Sequence, residues 1–140
     1  MSTSKNKAVM HRVFEEVLSK GNLAIIPELI APDYVFRSPL GIEIKGPEGF
    51  KQNVTMYRTA FPDIHATIND VIAEGDKVAV RYSMTGNFNG PMMGIAPTGK
   101  RLETTGAVFV RFAGGREVEA SSYTDMFAWY QQLGIKPPGM

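Results

Sequence analysis

Residues 64–84, IHATINDVIAEGDKVAVRYSM, change the hydrophobic period of the chain and decide its fold. Apolar residues alternate with polar ones on both sides of Glu74-Gly75-Asp76. The alternating residues are Ile64, Ala66 and Ile68 before this turn, and Val78, Val80, Tyr82 and Met84 after it. A period of two is typical of half-buried strands, and a short glycine-containing turn between two such runs predicts an antiparallel hairpin.

Upstream of this hairpin the apolar residues recur with a helical period. The pattern predicts a helix over 5–20 and a short second helix over 23–30 that Asn22 caps. An extended segment is predicted to begin at 34–36. A third helix is predicted over 47–61, because proline is favoured at the first helical position and residue 47 is proline.

Downstream of the hairpin the pattern predicts two more strands and a last helix. The strands cover about 101–112 and 116–124, and the helix covers 125–133. Helices followed by consecutive antiparallel strands indicate an α+β fold. We therefore expect one domain, with a core over about 5–134 and flexible ends. In it a curved, mostly antiparallel sheet wraps around three N-terminal helices and leaves an internal apolar pocket.

Composition excludes several classes of function. The 140 residues are 44% apolar and 21% charged, with a net charge of +1 and no basic stripe, so no nucleic-acid partner is expected. The absence of cysteine and the presence of only two histidines, His11 and His65, predict no metal site. No apolar run of the chain is long enough to span a membrane, and its N-terminus is polar. Both features predict a cytoplasmic protein without a membrane partner.

Asp125 is the strongest candidate for a catalytic residue. It follows the last predicted strand, where a carboxylate that faces an apolar pocket would suit proton transfer next to a carbonyl group. Counting back along the strand places Tyr123 and Ser121 on the same face as Asp125. Asp125 also stands at the start of the last predicted helix, so helix capping is the alternative role.

Further candidates for substrate binding come from the predicted inner faces. An amide within the apolar stripe of the third helix needs a partner, which a ligand carbonyl or the backbone could supply. Tyrosine hydroxyls could donate to a developing oxyanion, although inward aromatic residues are more commonly part of the core. The residues predicted to bind substrate are Phe50, Asn53, Tyr57, Tyr82, Ser121, Tyr123 and Trp129.

Five short segments resemble the SnoaL-like polyketide cyclases, in the order in which that family carries them. They are GPEGF at 46–50, AFPD at 60–63, IAEGDKV at 72–78, MGIAPTGK at 93–100, and Asp125 followed by QQLG at 131–134. The resemblance implies a cone-shaped α+β barrel of the nuclear-transport-factor-2-like type, commonly a homodimer through the outer sheet face. It also implies intramolecular aldol closure of a ring in a polyketide ester, without metal or organic cofactor, with Asp125 as acid/base.

Two positions depart from the family pattern. Ser121 stands where members often have tryptophan, and Arg37 stands where they frequently have histidine. These departures predict a differently shaped pocket and another substrate. The first hypothesis is therefore a cofactor-independent enzyme acting on a hydrophobic carbonyl compound. The second is a non-catalytic protein of the same fold that binds an apolar small molecule.

Overall fold

The computed structural model describes residues 2–137. Of the ends predicted to be flexible, beyond about 5–134, residue 1 and residues 138–140 lie outside the described part. The helices are α1 (Thr3–Arg12), which continues as a π-helical segment (Val13–Ser19), a 3₁₀ turn (Leu23–Ile25), α2 (Ile26–Leu29), α3 (Gly46–Ala60) and α4 (Met126–Leu133). The strands are β1 (Ile30–Arg37), β2 (Glu43–Lys45), β3 (His65–Glu74), β4 (Lys77–Asn87), β5 (Arg101–Ala113) and β6 (Arg116–Thr124). Within residues 2–137 no helix combines the length and apolarity that crossing a membrane would need.

The six strands form one mixed sheet in the order β2-β1-β6-β5-β4-β3. The β1–β6 pair is parallel, and the other neighbouring strands are antiparallel. The sheet is open, with β2 and β3 at its edges, and α1 and α3 pack against it. This architecture confirms the predicted α+β cone with a mostly antiparallel sheet and helices contributed by the N-terminal half.

The alternation that predicted the central hairpin determines which face of the sheet is buried. Val78, Val80, Tyr82 and Met84 are all buried, whereas Arg81 between Val80 and Tyr82 is exposed. Val78, Val80 and Tyr82 join one core with apolar residues of the first helical segment, such as Val17. Met84 belongs to a second core. Apolar and polar residues alternate along β4 because helices cover one face of the sheet and leave the other face uncovered.

The second predicted helix differs from the observed one. The structure has a 3₁₀ turn followed by the short α2, and Ile30 already belongs to β1. Pro32 lies inside β1 rather than ending a helix, and Asn22 makes no side-chain capping hydrogen bond. Parallel pairing of β1 with β6 begins at Ile30, opposite Glu117, and so takes the last residue of the predicted helix into the sheet. Here tertiary pairing overrides local propensity.

Candidate functional site

A cavity of about 110 Å³ lies between the sheet and the helices that cover it. Its walls are mainly apolar side chains from the first and third helices and from the central strands. They include Met10, Val13, Phe14, Val54, Met84 and Val108. An apolar cavity with a few convergent polar groups is the common form of a small-molecule site.

Five of the residues predicted to bind substrate line this cavity. Phe50, Asn53 and Tyr57 come from α3, since residues three and four apart on a helix share one face. Tyr82 comes from β4 and Trp129 from α4. The structure thus brings these five side chains together from three separate elements.

The other two predicted binding residues, Ser121 and Tyr123, face away from the cavity. Tyr123 is 62% exposed and packs against Phe109 on the outer face, with ring centroids 6.1 Å apart. Ser121 lines a shallow outer groove that Phe109 also lines. The predicted orientation of these two residues is therefore wrong, and the inward positions of β6 are Ala120, Ser122 and Thr124.

A β-bulge at Val118 sets which residues of the later part of β6 face the cavity. Near the turn Phe112 pairs with Glu117, but the next pair is Arg111 with Glu119, so the ladder skips Val118. Without the bulge, the register of the hairpin would place Ser121 opposite the inward Val108. With it, Val108 pairs with Ser122. One extra residue moves every later side chain of β6 to the opposite face.

The new register creates a cluster of three hydroxyl groups in the cavity. The Tyr82 hydroxyl lies 2.9 Å from Thr124 Oγ1 and 3.2 Å from Ser122 Oγ. Gly106 leaves room for the cluster, because a Cβ at this position would lie 2.6 Å from the Tyr82 hydroxyl. Hydroxyls can donate or accept, so this cluster can adjust to either kind of ligand group.

Tyr57 and Trp129 add further donors to the same cavity. Burial, with a smaller contribution from Tyr82, raises the pKa of Tyr57 to about 12, so its phenol remains a neutral donor. Trp129 is 3% exposed, and its Nε1 has no hydrogen-bond partner within the described part of the chain. A buried indole N–H usually has an acceptor, which marks this group as available to a ligand.

Glu117 is a cavity residue that the sequence reasoning missed. It is only 2% exposed, and burial raises the pKa of its carboxyl group to about 8. In the sequence, the nearby charged residues Arg116 and Glu119 give no sign that Glu117 is buried. The available signal was its register position, opposite Phe112 in a hairpin whose turn is at Gly114-Gly115.

Asp125 does not line the cavity; it lines a separate groove with Ser83, Thr85 and Glu103. Its carboxylate is exposed, and Oδ1 accepts a hydrogen bond of 3.0 Å from the backbone N–H of Ala128. It is thus the N-cap of α4. The residues on either side of it, Thr124 and Met126, both line the cavity. The structure shows the capping role, and catalysis by Asp125 stays a proposal.

Other residues considered from the sequence lie outside the cavity. Arg37 Nη1 is 3.4 Å from Glu119 Oε2 in an exposed ion pair. His65 is exposed at the start of β3, and His11 is exposed on α1 near Glu15. The family position that Arg37 occupies therefore contributes no side chain to the cavity of this chain.

Comparison with known proteins gives one family. The model of the SnoaL-like polyketide cyclases matches residues 8–133. The aklanonic acid methyl ester cyclase AcmA of Streptomyces galilaeus is 28% identical over 134 residues, which cover 94% of this chain and 92% of that protein.

Solved structures agree with this result. A candidate polyketide cyclase of Acidithiobacillus ferrooxidans superimposes with a TM-score of 0.82 and 33% identity, covering 96% of this chain and 98% of that one. A SnoaL-like protein of Jannaschia sp. CCS1 superimposes with a TM-score of 0.88 over 96% of this chain and 95% of its own. Its 23% identity supports the fold alone.

Proposed function

This chain belongs to the SnoaL-like polyketide cyclase family, and on that premise we propose that it closes a ring in a hydrophobic, polyketide-ester-like carbonyl compound. The observation that carries the proposal is the cavity. Apolar walls there enclose the hydroxyl cluster centred on Tyr82, and they include Trp129, whose Nε1 has no partner among the described residues. Donors in a mainly apolar site can stabilise negative charge that develops on a substrate oxygen.

The proposed reaction is an intramolecular aldol condensation. A base removes a proton from the carbon next to one carbonyl, and that carbon then attacks a second carbonyl of the same molecule. A carbon–carbon bond forms, the π electrons move to oxygen, and the oxygen takes up a proton. The Tyr82 cluster, Tyr57 and Trp129 Nε1 would hold this oxygen, and Asn53 would orient the ester or the first carbonyl. These steps need only proton transfer, so we propose that no metal or organic cofactor takes part.

Asp125 is the proposed carrier of the proton, from a groove beside the cavity. Its carboxylate could reach substrate that extends past Thr124 and Met126, the cavity-lining residues beside it. General acid–base groups of this kind contribute roughly 10²- to 10⁴-fold to a rate.

Product analysis tests the proposed reaction directly. Aklanonic acid methyl ester and smaller single-ring keto esters are incubated with the protein, and products are followed by liquid chromatography with mass spectrometry. Loss of water is monitored as well, because it would follow some aldol closures. We expect an isomer of unchanged mass but different retention time, formed faster than without protein.

Two tyrosine variants provide a matched comparison for that experiment. Tyr82→Phe removes the hydroxyl at the centre of the cavity cluster, whereas Tyr123→Phe removes one from the exposed outer face. We expect Tyr82→Phe to lower kcat by roughly 10-fold or more, as loss of a transition-state donor does, and Tyr123→Phe to leave it unchanged. Equal rates for both variants would contradict the proposed oxyanion site.

The second candidate function is ligand binding without catalysis. It is favoured by the inward side chains of β6 after the bulge, Ala120, Ser122 and Thr124, which carry no ionisable group. Native mass spectrometry of the purified protein would detect a retained apolar compound. A compound that binds in the cavity and is recovered unchanged, alongside no turnover of any keto ester, would select this function.

We also propose a homodimer that forms through the outer face of the sheet. Ile72, Phe109 and Tyr123 are 65%, 57% and 62% exposed, although each is large and hydrophobic or aromatic. Pairing in the sheet sets Ile72 opposite Ala79, and Ala79 opposite Phe109, so the apolar surface continues across β3, β4 and β5. A second copy would remove this surface from water.

A further inference from the structure

Glu117 lies far from the hydroxyl cluster of the cavity. Its partner on β5 is Phe112, and the partner of Ser122 is Val108. These partners are four residues apart, which separates the two positions by roughly 13 Å along the strand. The cavity therefore has polar groups at two ends, the hydroxyl cluster near the end of β6 and one carboxyl group near its beginning.

The carboxyl group of Glu117 has no partner at one of its oxygens. Oε2 is buried and makes no hydrogen bond within residues 2–137. The strand neighbours of Glu117 are apolar, Ile30 on β1 and Phe112 on β5. Because nearly all buried polar atoms in proteins have a partner, a buried orphan in a cavity wall indicates that a ligand completes it.

We propose that Glu117 is a specificity-determining residue, whose carboxyl group hydrogen-bonds an acceptor oxygen at one end of an elongated, mostly apolar ligand. This inference rests on the proposed function and narrows its substrate class to compounds with a carbonyl oxygen at each end. One oxygen lies at Glu117, and the other lies near Tyr82 and Trp129.

The protonation state of Glu117 favours a ligand group that accepts a hydrogen bond over a ligand group that carries a positive charge. Burial raises the pKa of this carboxyl group to about 8, so near neutral pH it holds a proton that it can donate. The other titratable groups among the described residues lining the cavity are Tyr34, Tyr57 and Tyr82. Burial and then the charge of Glu117 raise the pKa of Tyr34, whose phenol stays neutral in the same range.

A pair of probe compounds tests this assignment. 1,4-Diacetylbenzene has a carbonyl at each end, and 4-ethylacetophenone replaces one carbonyl by a methylene of similar size. Affinities are measured by calorimetry at about pH 6, below the pKa of the buried acid. We expect wild-type protein to bind the diketone at least about tenfold more tightly, the effect of one hydrogen bond to an otherwise unpaired group.

Three variants locate the origin of that preference. Glu117→Leu should reduce it to within about twofold, because the donor is gone while the volume is similar. Glu117→Gln retains a donor and should keep part of the preference, including at about pH 9.5, where wild-type protein should lose it. Glu119→Leu changes the next glutamate of the strand, which pairs with Arg37 on the outer face, and should leave the preference intact.

The outcomes separate this inference from the proposed function. Equal binding of the two compounds to wild-type protein, or a tenfold preference that survives in Glu117→Leu, would overturn the role of Glu117 and leave the carbonyl-binding cavity standing. Absence of binding by both compounds would overturn the cavity function and this inference with it. Thermal unfolding of each variant checks that the fold is intact.

Discussion

At the scale of single residues, Glu117 links the folding free energy to pH. Its pKa is about 8 in the folded chain against an ordinary 4.5. The folded state thus keeps a proton that the unfolded state releases. Its contribution to stability is complete below 4.5 and is lost as the pH rises to about 8. Across that window, we expect a loss of up to about 5 kcal/mol.

Urea unfolding at several pH values measures this effect. Glu117→Gln cannot ionise, so its free energy of unfolding should change much less than that of wild-type protein across the same pH range. Glu119→Gln is the matched control, since Glu119 is part of exposed ion pairs with Arg37 and Arg111. A pH slope that is identical in wild type and Glu117→Gln would show that another group is responsible.

The role of Asp125 can be tested with substitutions that remove its charge but keep, or also remove, the oxygen that caps α4. Asparagine keeps an acceptor for the Ala128 N–H, whereas alanine removes it. If Asp125 carries the proton, Asp125→Asn should lower kcat by roughly 100-fold or more with little change in thermal midpoint. An active Asn variant, together with an Ala variant destabilised by about 1 kcal/mol, would leave Asp125 with the capping role alone.

At the scale of elements, the sequence best predicted which side chains point inward where a single strand or helix has one buried face. The alternation in β4 predicted its buried side, and the helical stripe of α3 placed Phe50, Asn53 and Tyr57 on one side of the cavity. Both patterns are local, and each is set by the geometry of a single element. The resemblance to the family additionally predicted how the helices and the sheet are arranged.

β6 was less predictable because its two halves follow different registers. A bulge is a property of the strand pair, and nothing in Glu117-Val118-Glu119 distinguishes a skipped residue from a paired one. Its position decides whether Ser121 or Ser122 enters the cavity. It also allows the odd-numbered Glu117 and the even-numbered Ser122 to share the inner face. The error for Ser121 and Tyr123 has another source: they are placed by counting back from Asp125, which does not cross the bulge, and Asp125 itself lies outside the cavity lining.

At the scale of the whole molecule, the two faces of the sheet have different roles. Helices cover one face, and the cavity lies between them and the sheet. The other face carries the exposed side chains of Ile72, Phe109 and Tyr123. Arg111 and Glu119 lie beside this surface, as expected for the polar rim of an interface. Because the cavity lies on the helix-covered face, a dimer through the other face would leave the ligand site free in both copies.

The proposed homodimer predicts twice the 15.4-kDa chain mass by size-exclusion chromatography with light scattering at micromolar concentration. Phe109→Asp should give a monomer, because it places a charge within the apolar surface that the second copy would cover. Phe127→Asp is a closely matched control: Phe127 is also 57% exposed but lies on α4 rather than on the sheet. A monomeric wild-type chain, or dissociation by Phe127→Asp but not Phe109→Asp, would contradict an interface on the outer sheet face.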